Sequence, residues 1–150
     1  MQRIGMILMG LILLSATAFA GNGLVSVKSH HSVVETADRL ENILKTKGMT
    51  VFNRIDHSAG AKGVGIALRP TLLLVFGNPK VGAPLMQCSQ SMGIDLPQKA
   101  LIWQDAEGTV WMTYNDPETL AARHGVSGCE EVLAKVRTAL GNFATAATTP

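Results

Sequence analysis

The 150-residue chain has few charged side chains of either sign, and this scarcity excludes several classes of protein. Its 13 Lys and Arg residues nearly balance 11 Asp and Glu residues, and the basic residues form no cluster on any predicted element. Nucleic-acid binding needs a concentrated positive surface with interleaved aromatic rings, whereas aromatic residues make up only 5% of this chain. We therefore predict no nucleic-acid partner and no attraction to an anionic membrane.

The chain also lacks the residue spacings that hold metals and cofactors. Its four histidines are His30, His31, His57 and His124. They form no H-x-x-x-H or CxxCH pattern and have no carboxylate at ligand spacing, and the two cysteines match no metal or CxxC redox motif. We predict neither a metal site nor a cofactor.

The longest apolar run lies at the N-terminus. Arg3 precedes an apolar core over residues 4–14, and the Ala-Phe-Ala sequence at residues 18–20 is a small-x-small cleavage site. This pattern predicts a secretory signal peptide over residues 1–20 and a mature chain that begins near Gly21, in the periplasm or secreted. The alternative is an uncleaved membrane anchor, but the uncharged stretch is shorter than the ~20 residues that a spanning helix needs. We therefore expect no membrane span after cleavage.

The only two cysteines, Cys88 and Cys129, both lie in the predicted mature chain. An oxidising compartment lets them form a disulfide if their Cα atoms come within the usual ~4.4 to 6.8 Å. The alternative is two buried, unpaired thiols, in which case Cys129 would lie in the first turn of the last predicted helix and be reactive. The sequence leaves both alternatives open.

Periodicity predicts one domain over residues 21–143, followed by a disordered Ala/Thr tail over residues 144–150. Predicted strands cover residues 24–30, 49–55, 71–76, 100–104 and 109–114. Predicted helices begin at Ser32, Pro84, Asp116 and Ser127, and residues 57–70 are either a loop or a short, weak helix. The hairpin at residues 105–108 requires an antiparallel pair. The predicted fold class is therefore α/β (α+β), a small mixed sheet with helices packed on it.

The first candidate site is the segment from Gly77 to Pro84, predicted as a glycine-flanked loop that leaves a strand and enters a helix. Such a loop presents backbone amides and the positive end of a helix dipole, and Lys80 adds charge, so a small anion would fit there. The segment is not a P-loop, because Ala-Pro follows Gly82 where the motif needs Lys-Ser or Lys-Thr. The alternative is a rigid turn with a solvated lysine.

The second candidate is the pair Asp56 and His57 at the end of a predicted strand. A carboxylate beside an imidazole can act as an acid/base pair or as metal ligands. The alternative has Asp56 capping the segment that follows and His57 as an ordinary polar residue near the surface. Trp103, on the hairpin with Trp111, either stabilises the sheet or stacks on a ligand.

Several short motifs follow one another along the chain between residues 55 and 115. They are Ile55-Asp56-His57, Phe76-Gly77-Asn78-Pro79-Lys80, Leu96-Pro97, Trp103, Gly108 and Tyr114-Asn115. As a set they resemble the DUF302 family, a domain of unknown function. The resemblance implies a small, often dimeric α/β fold of a single domain, with Asp56-His57 and the Asn78-to-Lys80 motif as recurring polar positions. It implies no established catalytic activity.

Two classes of function follow from these observations. We favour a binding or interaction module, a homodimer, that uses Asp56, His57, Asn78, Lys80 and Trp103 to hold a small anionic ligand or a protein partner. The alternative is a hydrolase-like enzyme with His57, beside Asp56, as general base and with Lys80 and helix amides stabilising negative charge. That alternative requires His57 and Lys80 to line one pocket.

Overall fold

A computed structural model gives the fold of residues 18–150 and describes side chains from Asn22 onwards. The six strands are β1 (Ala18–Gly21), β2 (Leu24–Ser29), β3 (Thr50–Asp56), β4 (Thr71–Gly77), β5 (Gln98–Gln104) and β6 (Val110–Asn115). The helices are α1 (Val33–Thr46), α2 (His57–Gly63), α3 (Pro79–Cys88), α4 (Pro117–Arg123) and α5 (Glu130–Thr148), with a 3₁₀ helix at Gln90–Ile94 between α3 and β5. The α/β fold class is confirmed.

The strands form one sheet in the order β1-β2-β6-β5-β4-β3. Every pair among these described strands is antiparallel, so the prediction of a mixed sheet is wrong. The crossover through α1 connects β2 and β3, which run in the same direction but are separated by three other strands. No parallel pair forms because the two strands that this helix connects never become neighbours.

One face of the sheet forms the core with α1 and α5. Alternate residues of β4 and β5 are buried on this face, as Leu74 and Ile102 are. The α1 side chains that pack there repeat every three or four residues, and Leu40 and Leu44 among them are completely buried. The predicted helix start at Ser32 is confirmed, because the Ser32 hydroxyl caps α1 by accepting a hydrogen bond from the backbone amide of Glu35 at 3.2 Å.

The prediction of a disordered tail is wrong, because α5 continues to Thr148. Ala144, Ala147 and Thr148 are buried, and Arg39 of α1 donates hydrogen bonds to the carbonyl oxygens of residues 146, 147 and 149. Alanine has the highest helix propensity, and its small side chain lets α5 approach α1 closely. The low complexity of this segment therefore reflects close helix packing.

The predicted start of the second helix at Pro84 is also wrong, because α3 begins at Pro79. Asn78 caps this helix with its side chain, and proline at the first helical position needs no hydrogen-bonded amide. Residues 77–84 are therefore mostly helix, and the predicted glycine loop is absent.

Cys88 and Cys129 form a disulfide with their Cα atoms 6.4 Å apart, which joins the end of α3 to the start of α5. Most of the predicted signal peptide lies outside the described residues, and residues 18–20 belong to β1. Cleavage near Gly21 stays a prediction. Within residues 18–150, no helix combines the length and apolarity needed to cross a bilayer.

Candidate functional site

The polar residues predicted to form a site lie at opposite ends of β4. Asp56 is paired with Leu72 near the start of the strand, whereas Thr50 is paired with Gly77 at its end. At ~3.3 Å per residue, the Asp56 and Asn78 ends are about 20 Å apart. The structure therefore does not bring His57 and Lys80 into one pocket, as the hydrolase alternative requires.

At the first end, Asp56 acts as a helix cap. Its carboxylate accepts hydrogen bonds from the Ser58 hydroxyl and from the Ala59 amide, the latter at 2.9 Å, and these bonds lower the pKa of Asp56 below its ordinary value of 3.8. His57 is the first residue of α2 and is exposed. This arrangement matches the structural alternative, in which the carboxylate caps the next segment.

Trp103 lies at the same end as Asp56 but on the sheet face opposite the core. It pairs with Thr71 on one side and Trp111 on the other. Its indole nitrogen donates a hydrogen bond to the Thr113 hydroxyl at 2.9 Å, and Ser26 bonds to the same hydroxyl at 2.8 Å. These contacts stabilise the sheet and account for Trp103 without a ligand.

At the second end, the Asn78 side chain connects the start of α3 to the turn after α1. Its side-chain oxygen accepts a hydrogen bond from the Lys80 amide at 2.9 Å, and its nitrogen donates to the Gly48 carbonyl at 3.3 Å. Gly48 adopts a positive φ of 72° just after α1, the left-handed conformation in which glycine commonly ends a helix. The Lys80 side chain is exposed.

The Asn78 end contains a pocket of about 410 Å³ between α3, α5 and the edge of the sheet. Its lining includes the buried side chains Phe76, Leu85, Leu140 and Phe143. Met86 of α3, Val136 of α5 and the Leu96-Pro97 wall before β5 also line it. The pocket is therefore almost wholly apolar.

A β-bulge forms the mouth of the pocket. The register of β3 and β4 shifts between Val51 and Asn53, so Phe52 has no strand partner and turns towards Gly77. The Phe52 ring is 54% exposed and lines the pocket. A Cβ atom on Gly77 would lie 3.4 Å from Pro97 and 3.5 Å from Phe52, which are ordinary van der Waals contacts, so a small side chain there would line the opening without a clash.

Few polar groups line the pocket. Lys135 lies at its rim, 72% exposed, and forms an ion pair with Glu131 at 2.6 Å. Gln98 lies inside, 8% exposed, and its carboxamide makes no hydrogen bond within residues 18–150. Sequence reasoning missed Gln98, although a polar residue in phase with the buried positions Ala100 and Ile102 was the available signal.

A second polar group of residues missed by sequence reasoning lies behind the Leu96 wall. His124 bonds to Asp95 through Nε2 at 2.7 Å and to the Ser91 hydroxyl through Nδ1 at 2.9 Å. The hydrogen bond from His124, with further help from Arg123, lowers the pKa of Asp95 below its ordinary value of 3.8. This cluster holds the 3₁₀ helix and the adjoining pocket wall against the end of α4.

Residues 25–143 match the family described as "Domain of unknown function DUF302". The chain belongs to the DUF302 family. A solved structure of this family, titled as an uncharacterized conserved protein DUF302 from Bacillus stearothermophilus, superposes with a TM-score of 0.76 at 22% identity. The superposition covers 85% of this chain and 99% of that protein, which confirms the DUF302 fold.

Curated relatives of this DUF302 chain carry a different name. It is 50% identical over 114 residues to "Fluoride-specific ion channel FluC 1" of Brucella suis, covering 76% of this chain and 45% of that protein. It is also 50% identical over 114 residues to "Fluoride-specific ion channel FluC 2" of Brucella melitensis, covering 42% of that protein. This chain therefore spans less than half the length of these relatives.

Proposed function

We propose that this DUF302 domain is a small-ligand-binding module and that its ligand occupies the pocket between α3 and α5. The observation that carries this proposal is an apolar pocket of about 410 Å³ between α3, α5 and the edge of the sheet. Protein interiors leave few voids larger than a water molecule, and small-molecule pockets measure roughly 300 to 1,000 Å³. The size and lining of this cavity are therefore typical of a ligand site.

The lining also changes the proposed chemistry of the ligand. The sequence favoured a small anion held by Asp56, His57, Asn78, Lys80 and Trp103. Of these five residues only Asn78 lines the pocket, and its amide is already bonded at both ends. An apolar ligand suits this surface better than an anion, because burying a charge without a counter-ion is costly.

The test is a fluorescence titration of the full chain with 1-aminoanthracene, an uncharged apolar dye. Ala139 lines the pocket on α5, so Ala139→Trp fills it, whereas Ala146 is exposed on the same helix and Ala146→Trp serves as the matched control. We expect Ala139→Trp to weaken dye binding at least tenfold and Ala146→Trp to leave it unchanged. Equal binding by both variants would contradict the proposal.

We also propose that the domain acts in the periplasm or outside the cell, as a cleaved signal peptide would direct. The Cys88–Cys129 disulfide supports an oxidising compartment. Mass spectrometry of the protein exported from its native cells tests this. A mature N-terminus at Gly21 with two hydrogens fewer than the reduced mass is expected, and a retained N-terminus would contradict cleavage.

A second role is favoured by the length of the curated relatives. In them, a segment like this chain is joined to further sequence in proteins named fluoride-specific ion channels. We propose that the domain serves such a channel as an accessory domain. Deleting the matched segment from the Brucella suis protein should alter fluoride efflux from vesicles, and adding this chain back should restore it. Unaltered efflux after the deletion would argue against the role.

The predicted homodimer remains a proposal, supported by the sheet face opposite the core. This face carries partly exposed apolar side chains, including Ile55, Leu73 and Leu101. Light scattering of the full chain should give twice the monomer mass, and the Leu101→Lys variant should give the monomer mass. A monomeric wild-type protein would contradict the proposal.

A further inference from the structure

Gln98 occupies a position where the sheet otherwise buries apolar side chains. It begins β5 on the same face as Ala100 and Ile102, both completely buried, and it pairs with the buried Phe76 of β4. An apolar side chain at position 98 would continue this core. The polar residue therefore needs a physical reason.

The Gln98 carboxamide has no partner among the residues that the structure describes. The residue is 8% exposed and lines the pocket, and none of its polar side-chain atoms is fully enclosed without a partner, so the carboxamide is open to the pocket. A carboxamide offers one acceptor and two donors, and a wholly apolar ligand that displaced water from these groups would leave them unpaired. A molecule in the pocket can supply the missing hydrogen bonds.

Charges near the pocket limit what that molecule carries. Among the described residues, Lys135 is the only ionisable side chain in the lining, and it lies at the rim in an ion pair with Glu131. Among the lining residues that the structure describes, none places a counter-ion beside Gln98. A carboxylate or an ammonium group beside Gln98 would be buried without charge compensation, whereas a neutral polar group would not.

We propose that the pocket binds a molecule with an apolar body and one uncharged hydrogen-bonding group, such as a carboxamide, and that this group pairs with Gln98. The inference rests on the proposed ligand-binding function and specifies its substrate class. Phe76, Leu85, Leu140 and Phe143 contact the apolar body, and Gln98 selects the polar group.

The test compares two shape-matched probes, 4-pentylbenzamide and 4-pentylbenzoate, as competitors of 1-aminoanthracene on the full chain. The amide should compete at least tenfold more effectively than the benzoate, because only the amide is uncharged. Gln98→Met keeps the side-chain length but removes the hydrogen-bonding groups. This variant should weaken competition by the amide at least fivefold more than it weakens competition by 4-pentyltoluene, which has a similar apolar body and no hydrogen-bonding group.

Nuclear magnetic resonance of the wild-type chain gives a readout that needs no variant. The Gln98 side-chain amide protons should shift on addition of 4-pentylbenzamide and should not shift with the benzoate at equal concentration. If the dye binds but the amide binds wild type and Gln98→Met equally well, this inference is overturned and the ligand-binding function stands. The same conclusion follows if the dye binds and the Gln98 protons do not shift. Failure of the dye itself to bind wild type would overturn both.

Discussion

The two ends of β4 differ in what their polar side chains do. At the start of the strand, Asp56 is bonded to Ser58 and Ala59 within its own helix cap, and His57 is exposed. At the end of the strand, Asn78 ties α3 to the turn after α1, and an apolar pocket opens beside it. The end with the more conspicuous polar motif is locally satisfied, whereas the end with the apolar lining has space for a ligand.

This difference shows what polar motifs in a short domain indicate. A carboxylate before a helix satisfies free backbone amides, so a motif such as Asp56-His57 is explained by local structure alone. A pocket depends instead on side chains from several elements that approach one another only in the folded chain. The following predictions test whether the two ends are as different as the structure indicates.

The largest effect is expected from removing the disulfide at the pocket end. Cys88 and Cys129 are separated by 41 positions and join the two helices that wall the pocket. The double variant Cys88→Ser/Cys129→Ser should lose roughly 4 kcal/mol of unfolding free energy in urea, and dye binding should weaken. Reduced wild-type protein is the control and should match the variant. A loss below about 1 kcal/mol would show that the bond does not constrain these helices.

The next largest effect compares apolar side chains at the two ends. Leu85 is buried in the pocket wall, whereas Ile55 lies at the other end and is partly exposed. Leu85→Ala should lower the free energy of unfolding by about 2 to 4 kcal/mol, and Ile55→Ala by less than ~1 kcal/mol. Chemical denaturation measures both. Equal losses of unfolding free energy in the two variants would show that the two ends of the sheet are packed equally well.

A smaller effect concerns acid stability and the Asp95–His124 contact behind the pocket wall. The pKa of Asp95 is lowered in the folded protein, so its stabilising contribution is complete above the ordinary carboxyl value of 3.8 and is lost as the pH falls through the lower folded value. Wild-type stability should therefore fall below about pH 4 more steeply than that of Asp95→Asn. Unfolding curves between pH 2 and 6 measure this, and parallel profiles would contradict it.

The smallest effects are expected from the residues that the sequence made most conspicuous. His57→Ala and Lys80→Ala remove exposed side chains outside the pocket. Each variant should change unfolding free energy by less than ~0.5 kcal/mol and leave dye affinity within twofold. A tenfold loss of dye binding in either variant would place the ligand at the residues predicted from sequence.

Local signals in the sequence predicted much of the fold. The helix start at Ser32, the strand over residues 71–76 and the hairpin at residues 105–108 depend on residues close together in the sequence, and all three are confirmed. Two local signals compete where the predictions are wrong. At α3, the Asn78 cap with Pro79 at the first helical position sets the start of the helix rather than Pro84, and at the end of α5 the alanine-rich sequence forms buried helix positions.

The pocket could not be predicted in the same way. Its lining residues come from positions as distant as Met49 and Phe143, and no periodicity connects them. The bulge that turns Phe52 towards the mouth follows from the strand register, which the sequence did not specify. Among the lining residues, only Gln98 has a sequence feature that indicates its position. It is a polar residue two positions before Ala100, on the side of β5 that is otherwise buried.

Methyl resonances of the methionines offer the most direct test of the central claim, that the α3–α5 pocket holds the ligand. Met49 and Met86 line the pocket, whereas Met112 is buried in the sheet away from it. On titration of methyl-labelled full chain with 1-aminoanthracene, the Met49 and Met86 signals should shift saturably while Met112 stays in place. Binding of the dye without any shift of Met49 and Met86 would contradict the account.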